Sequence, residues 1–100
     1  MPKYQIRITE IAEQELLGIV EYIASDRPVA ALQLADDIER SIANLEDFSL
    51  LGIVPKNRRI AAKGYKVLII HDYLVFYVIF AEYIEIRRIL SGKRKYTNLL

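Results

Sequence analysis

Cysteine and tryptophan are absent from these 100 residues, and there are only four glycines, three prolines, one histidine and one methionine. Without cysteine there can be no disulfide framework, no thiolate metal site and no cysteine nucleophile. A lone histidine, His71 beside Asp72, reads as a polar turn residue; no metal or cofactor is expected. Gly92 in "SGKRK" lacks the spacing of a phosphate-binding loop. Long hydrophobic runs are missing too. The longest, Tyr73 to Ala81, falls far short of the roughly 20 residues that span a bilayer, and "MPKYQIRITE" has no apolar signal-peptide core. The expectation is a cytoplasmic chain with no membrane association, forming a single domain over 1–100.

What is present is segregated charge. Residues 9–48 carry ten acids against Arg27 and Arg40, a balance of −8, whereas residues 49–100 carry ten bases against Asp72, Glu82 and Glu85, a balance of +7. With Lys3 and Arg7 the net charge returns to +1. The second half can approach an anion and the first cannot.

Periodicity changes at the same place. Ala12, Leu16, Ile19, Val20 and Ile23 form one helical stripe, and Ala31, Leu34, Ala35, Ile38, Ile42 and Leu45 form another. Thr9 is placed to cap the first helix. Pro28 suits the first turn of the second, where its missing N–H costs nothing. The short "SDRP" connection implies an antiparallel helical hairpin. Before it, "KYQIRIT" alternates like a strand with one wet face. After it, "FSLLGIVPKNRR" reads as a loop, and "GYKVLII", "YLVFYVIF" and "YIEIRRIL", separated by "HD" and "AE", read as a three-stranded antiparallel meander. The derived fold class is α+β: N-terminal strand, antiparallel helical hairpin, then meander, with the helices on one sheet face.

That architecture leaves a face to be covered. The run from Tyr73 to Phe80 is apolar on both sides, and the hairpin shields only one. A partner protein or a homodimer contact is expected on the other; the competing expectation folds the loop 49–58 across it. The seven tyrosines are expected in core and interface roles, with no interleaving of bases and aromatics of the kind that binds single strands.

The succession "ELLGIVEYIASDRPVAALQLADDIERSIANLEDF", Gly64-Tyr65-Lys66, "YLVFYVI" and "IEIRRILSGKRKY" resembles the RelE/ParE superfamily of toxins from type II toxin–antitoxin modules, over essentially the whole chain. The resemblance implies a bacterial growth-arresting toxin neutralised by a cognate antitoxin whose disordered tail folds across it. RelE-like members cut mRNA on the ribosome. ParE-like members bind DNA gyrase.

On the RelE-like pattern, Lys66 falls where a lysine follows Gly-x-Tyr, Arg94 on the arginine of "GKR", and Tyr96 near the C-terminal tyrosine. These three are the catalytic candidates for an mRNA endoribonuclease. Leu68 and Leu74 replace two further cations of that pattern, which weakens any phosphate site. "EYI", "VFY" and "EIRRIL" resemble the ParE-like branch, so inhibition of gyrase is the first expectation, ribosome-dependent mRNA cleavage the second, and a decayed, non-toxic antitoxin-binding protein the third. The residues expected to meet target or antitoxin are Arg87, Arg88, Lys93, Arg94, Lys95 and Phe76, with a solvated basic tail as the plainer alternative.

Overall fold

A computed structural model describes residues 3–100. The chain runs β1 (Gln5–Ile8), α1 (Glu10–Ala24), α2 (Pro28–Asn44), α3 (Arg58–Ala62), β2 (Tyr65–Ile70), β3 (Tyr73–Ile79) and β4 (Tyr83–Ser91). The α+β expectation holds, as do the hairpin, the meander and the His71–Asp72 turn. The four strands form one sheet in the order β1-β4-β3-β2. The meander is antiparallel, and β1 lies parallel to β4 with Gln5 opposite Tyr83 and Ile8 opposite Ile86.

Thr9 makes that parallel entry possible. Its backbone N–H donates to the Ile86 carbonyl at 3.0 Å, and its hydroxyl donates to the Arg87 carbonyl at 3.1 Å. The same oxygen accepts from the Ala12 N–H at 3.2 Å and so caps α1. One residue ends the strand, starts the helix and ties both to β4. At α2, Pro28 occupies the first helical turn while Arg27 supplies no side-chain cap.

Both helical stripes pack on the front of the sheet. Ala12, Leu34, Ile38, Ile42 and Leu45 meet Leu68, Ile70, Val75, Tyr77, Ile84, Ile86 and Ile89 in one core. The change of parity from Ile84 and Ile86 to Ile89 reflects an irregularity of register: Tyr77 pairs with Ile86 while the neighbouring Phe76 pairs with Arg88, which leaves Arg87 as the extra residue of a bulge. Without it Arg88 would point into the front core.

The rear face corrects the expectation that a partner or the 49–58 loop covers it. Ile60, Tyr65, Val67, Phe76, Val78 and Leu90 form a second buried cluster, against which Leu74, Phe80, Tyr96, Leu99 and Leu100 pack. The cover is α3 together with the segment after β4. Neither was legible as such: α3 has five residues and one buried side chain, Ile60, too few for a periodic stripe. Leu99 and Leu100 follow the basic stretch, for which contact with target or antitoxin was the expectation and a solvated tail the alternative. Part of the 49–58 loop instead lies along the outer edge of β2, where Ile53 and Val67 exchange backbone hydrogen bonds at 2.9 Å.

Candidate target-binding surface

The basic residues near the end of the chain divide into two groups with different work. Arg88 is held in place. Its Nε and Nη2 donate to the Glu15 carboxylate at 3.0 and 2.7 Å, and its Nη1 donates to the Leu99 carbonyl at 2.9 Å. Glu15 also accepts from the Ile89 N–H at 3.1 Å, on the edge of β4 beyond the reach of β1. The two side chains are each 14% exposed, so the pair is largely dry, and the carboxylate raises the Arg88 pKa against the opposing effect of burial. Glu15 therefore joins α1, the free β4 edge and, through Arg88, the segment carrying Leu99.

Arg87, the bulge residue, turns to the rear face. Its Nε donates to Glu85 Oε1 at 2.8 Å, and its guanidinium carbon lies 5.6 Å from the Tyr65 ring centre and 5.8 Å from that of Phe80. Its pKa is raised by the Tyr65 hydroxyl first, with burial opposing and Glu85 adding. Lys93, Arg94 and Lys95 are exposed. Arg94 flanks a cleft of about 370 Å³ between α1 and β4, lined also by Gly18, Tyr22 and Tyr73. Phe76, expected at a binding surface, is 1% exposed and packs 5.2 Å from Tyr96, centre to centre. No partner reaches it while the covering segment is in place.

The three endoribonuclease candidates are not brought together. Lys66 lies between Tyr65 and Val67, which face the rear cluster, and opposite Tyr77, which faces the front core. Alternation of side chains across a strand therefore sends Lys66 to the helix-bearing face. Tyr96 packs on the rear face, and Arg94 sits at the cleft beside α1. Leu68 is buried in the front core.

Sequence reading missed Glu15, whose partner is 73 residues away, and it missed Arg59 and Lys63. Arg59 donates to the Thr97 carbonyl, and Lys63 Nζ donates to the Leu100 carbonyl at 2.7 Å. Their position, Arg59 on α3 and Lys63 at its C-terminal cap, carried no signal of a contact so far along the chain. Among the described residues, no cluster of acidic or histidine side chains could hold a metal ion, and no helix is long and apolar enough to cross a membrane.

The architecture is a four-stranded sheet with a helical hairpin on one face and a short helix plus a terminal segment on the other. Residues 6–96 match the family model described as ParE toxin of type II toxin-antitoxin system, parDE. The chain belongs to that family and is the toxin of a ParDE-type system. Among solved structures it is similar to one described as "Chromosomal ParDE TA system from P. aeruginosa", with 18% identity, 89% of this chain and 96% of that chain covered, and a TM-score of 0.73. At that identity the likeness concerns the fold. A search of the curated proteins finds no match.

Proposed function

We propose that this toxin arrests growth by binding DNA gyrase without chemistry of its own, and that a cognate antitoxin restrains it. The observation that carries the reading is the dispersal of Lys66, Arg94 and Tyr96 over different faces of the sheet. Cleaving RNA through its 2′-OH needs cations and acid–base groups converging on one phosphate. Here the lysine and the tyrosine are separated by the sheet itself.

For the antitoxin, the exposed Lys93, Arg94 and Lys95 fit an acid-containing segment, and the cleft beside Arg94 offers adjoining apolar surface from Ile19, Tyr22 and Tyr73. Charge at such a rim governs association rate and its salt dependence more than contact area does.

The test sets gyrase supercoiling beside ribosome-programmed mRNA cleavage, using the toxin freed of antitoxin. The wild type and Lys66→Ala should both inhibit supercoiling and leave mRNA intact. Cleavage by the wild type that Lys66→Ala abolishes, with the variant's fold unchanged by circular dichroism, would establish the endoribonuclease reading instead.

A further inference from the structure

The rear face is covered at one end and open at the other, and the open end carries an arrangement that the sequence conceals. Arg7 on β1 places its guanidinium carbon 4.0 Å from the centre of the Tyr83 ring. Tyr83 stacks on Phe80 with centroids 4.7 Å apart and planes 16° from parallel. Arg87 follows, 5.8 Å from Phe80 and 5.6 Å from Tyr65. Guanidinium, ring, ring, guanidinium, ring: the five side chains come from β1, β4, the β3–β4 turn and β2, so they interleave only once the sheet has formed. This revises the expectation that no basic and aromatic residues interleave.

We infer that this ladder is a binding surface for single-stranded nucleic acid, with a base stacking on the outer face of the Arg7 guanidinium, which Tyr83 and Phe80 support from beneath, and the backbone following the cations around it. Two observations support that occupant. Arg7 is exposed, and a guanidinium is planar, so the side turned away from Tyr83 is a platform for a base as an aromatic ring is. The two front helices carry most of the acids, although Arg27, Arg40 and Lys66 stand on the same side. The exposed acids Glu10, Glu13, Glu21, Asp36 and Glu39 ride on the front helices, whereas Arg7, Arg59, Lys63 and Arg87 stand at the rear. A polyanion is repelled from one side and drawn to the other. Of the acids near the ladder, Glu85 is bonded to Arg87 and Glu82 lies in the β3–β4 turn.

Single strands are favoured over duplex because every base has a free face only when it is not already stacked inside a helix. Little sequence preference is expected, since stacking and phosphate contacts are tolerant of base identity. The inference does not depend on the gyrase reading: supercoiling can be inhibited with or without this surface.

The experiment measures fluorescence anisotropy of short labelled oligo(dT) and oligo(rU) with the purified toxin, at low and at near-physiological salt. Binding should weaken as salt rises, through release of counterions. Arg7→Ala and Tyr83→Ala should each weaken it by about tenfold or more, while Tyr83→Phe keeps wild-type affinity. Arg7→Lys retains the charge but not the plane, and should lose most of what Arg7→Ala loses. Arg7 sits exposed on an edge strand, so its variants remain folded, as circular dichroism will verify, and they test the idea even if Tyr83→Ala does not fold. Absence of binding to either strand overturns the inference. So does equal competition by unlabelled duplex, or affinity that Arg7→Ala leaves unchanged. If labelled strands stay free while Arg7→Ala loses antitoxin binding, the ladder is a protein-docking surface and the nucleic-acid reading is wrong.

Discussion

Replacing Glu15 by alanine tests the architecture at its most connected point. The carboxylate satisfies two Arg88 nitrogens and the Ile89 N–H, and both members of the ion pair are 14% exposed. Its loss leaves a guanidinium in a largely dry setting with only the Leu99 carbonyl as partner, and it orphans a backbone donor on the sheet edge. Removing one member of a buried pair costs about 3–5 kcal/mol. Some water reaches this pair, so the low end, about 3 kcal/mol, is the working figure. For a domain of this size that corresponds to a fall in Tm of about 12–24 °C. Arg88→Met should cost less, because Glu15 still accepts from Ile89 and the methionine stem still packs. A double-mutant cycle read by urea denaturation should give a coupling of about 2 kcal/mol between the two sites. Single effects that simply add, within about 0.5 kcal/mol, would mean the pair contributes no mutual stabilisation and the reasoning fails.

Tyr77 and Gly52 make a second test. The Tyr77 hydroxyl donates to the Ser49 carbonyl at 2.9 Å and accepts from the Gly52 N–H at 2.9 Å, so Tyr77→Phe should cost about 1–2 kcal/mol in chemical denaturation by stranding both groups. A Cβ on Gly52 would lie 2.7 Å from that hydroxyl and 2.8 Å from the Val67 carbonyl, so Gly52→Ala should destabilise by about 1–3 kcal/mol through overpacking. Burial raises the Tyr77 pKa, with the Gly52 hydrogen bond partly opposing. The contribution is therefore complete below the unfolded value of about 10 and is lost as pH rises beyond it; wild-type stability should fall more steeply than that of Tyr77→Phe from pH 9 to 11. Replacing Lys93, Arg94 and Lys95 together by serine should slow antitoxin association at low salt and flatten its salt dependence in stopped-flow mixing, with thermal stability nearly unchanged; unchanged rates at every ionic strength would make the stretch a solvated tail.

The helices were legible because their stripes are regular and long, from Ala12 to Ile23 and from Ala31 to Leu45, and because Thr9 and Pro28 mark where they begin. The meander was legible because β2, β3 and β4 are apolar runs with short separations. What failed were features that depend on distant partners. The parity of β4 changes at a bulge that no local pattern announces. Arg88 looked like a rim cation until Glu15 arrived from α1, and Phe76 looked like bare surface because nothing in α3 or at Leu99 and Leu100 signalled a cover. The arginine–aromatic ladder was hidden for the same reason: Arg7 is 76 positions from Tyr83 in sequence. Periodicity reports the face on which a residue lies, not what lies across from it.

The parallel pairing of β1 with β4 has a consequence for the order of events in synthesis. Gln5–Ile8 are made well before Tyr83–Ile86, beside which they lie. Thr9 likewise waits for Ile86 and Arg87, and Glu15 for Arg88 and Ile89. The helical hairpin can form early from local contacts, but loop closure over most of the chain must precede the final sheet. At about 5–20 residues per second, the nascent chain spends several seconds as a hairpin with its apolar stripe uncovered. Until β4 is made, β1 lacks its strand neighbour and Glu15 lacks its cation.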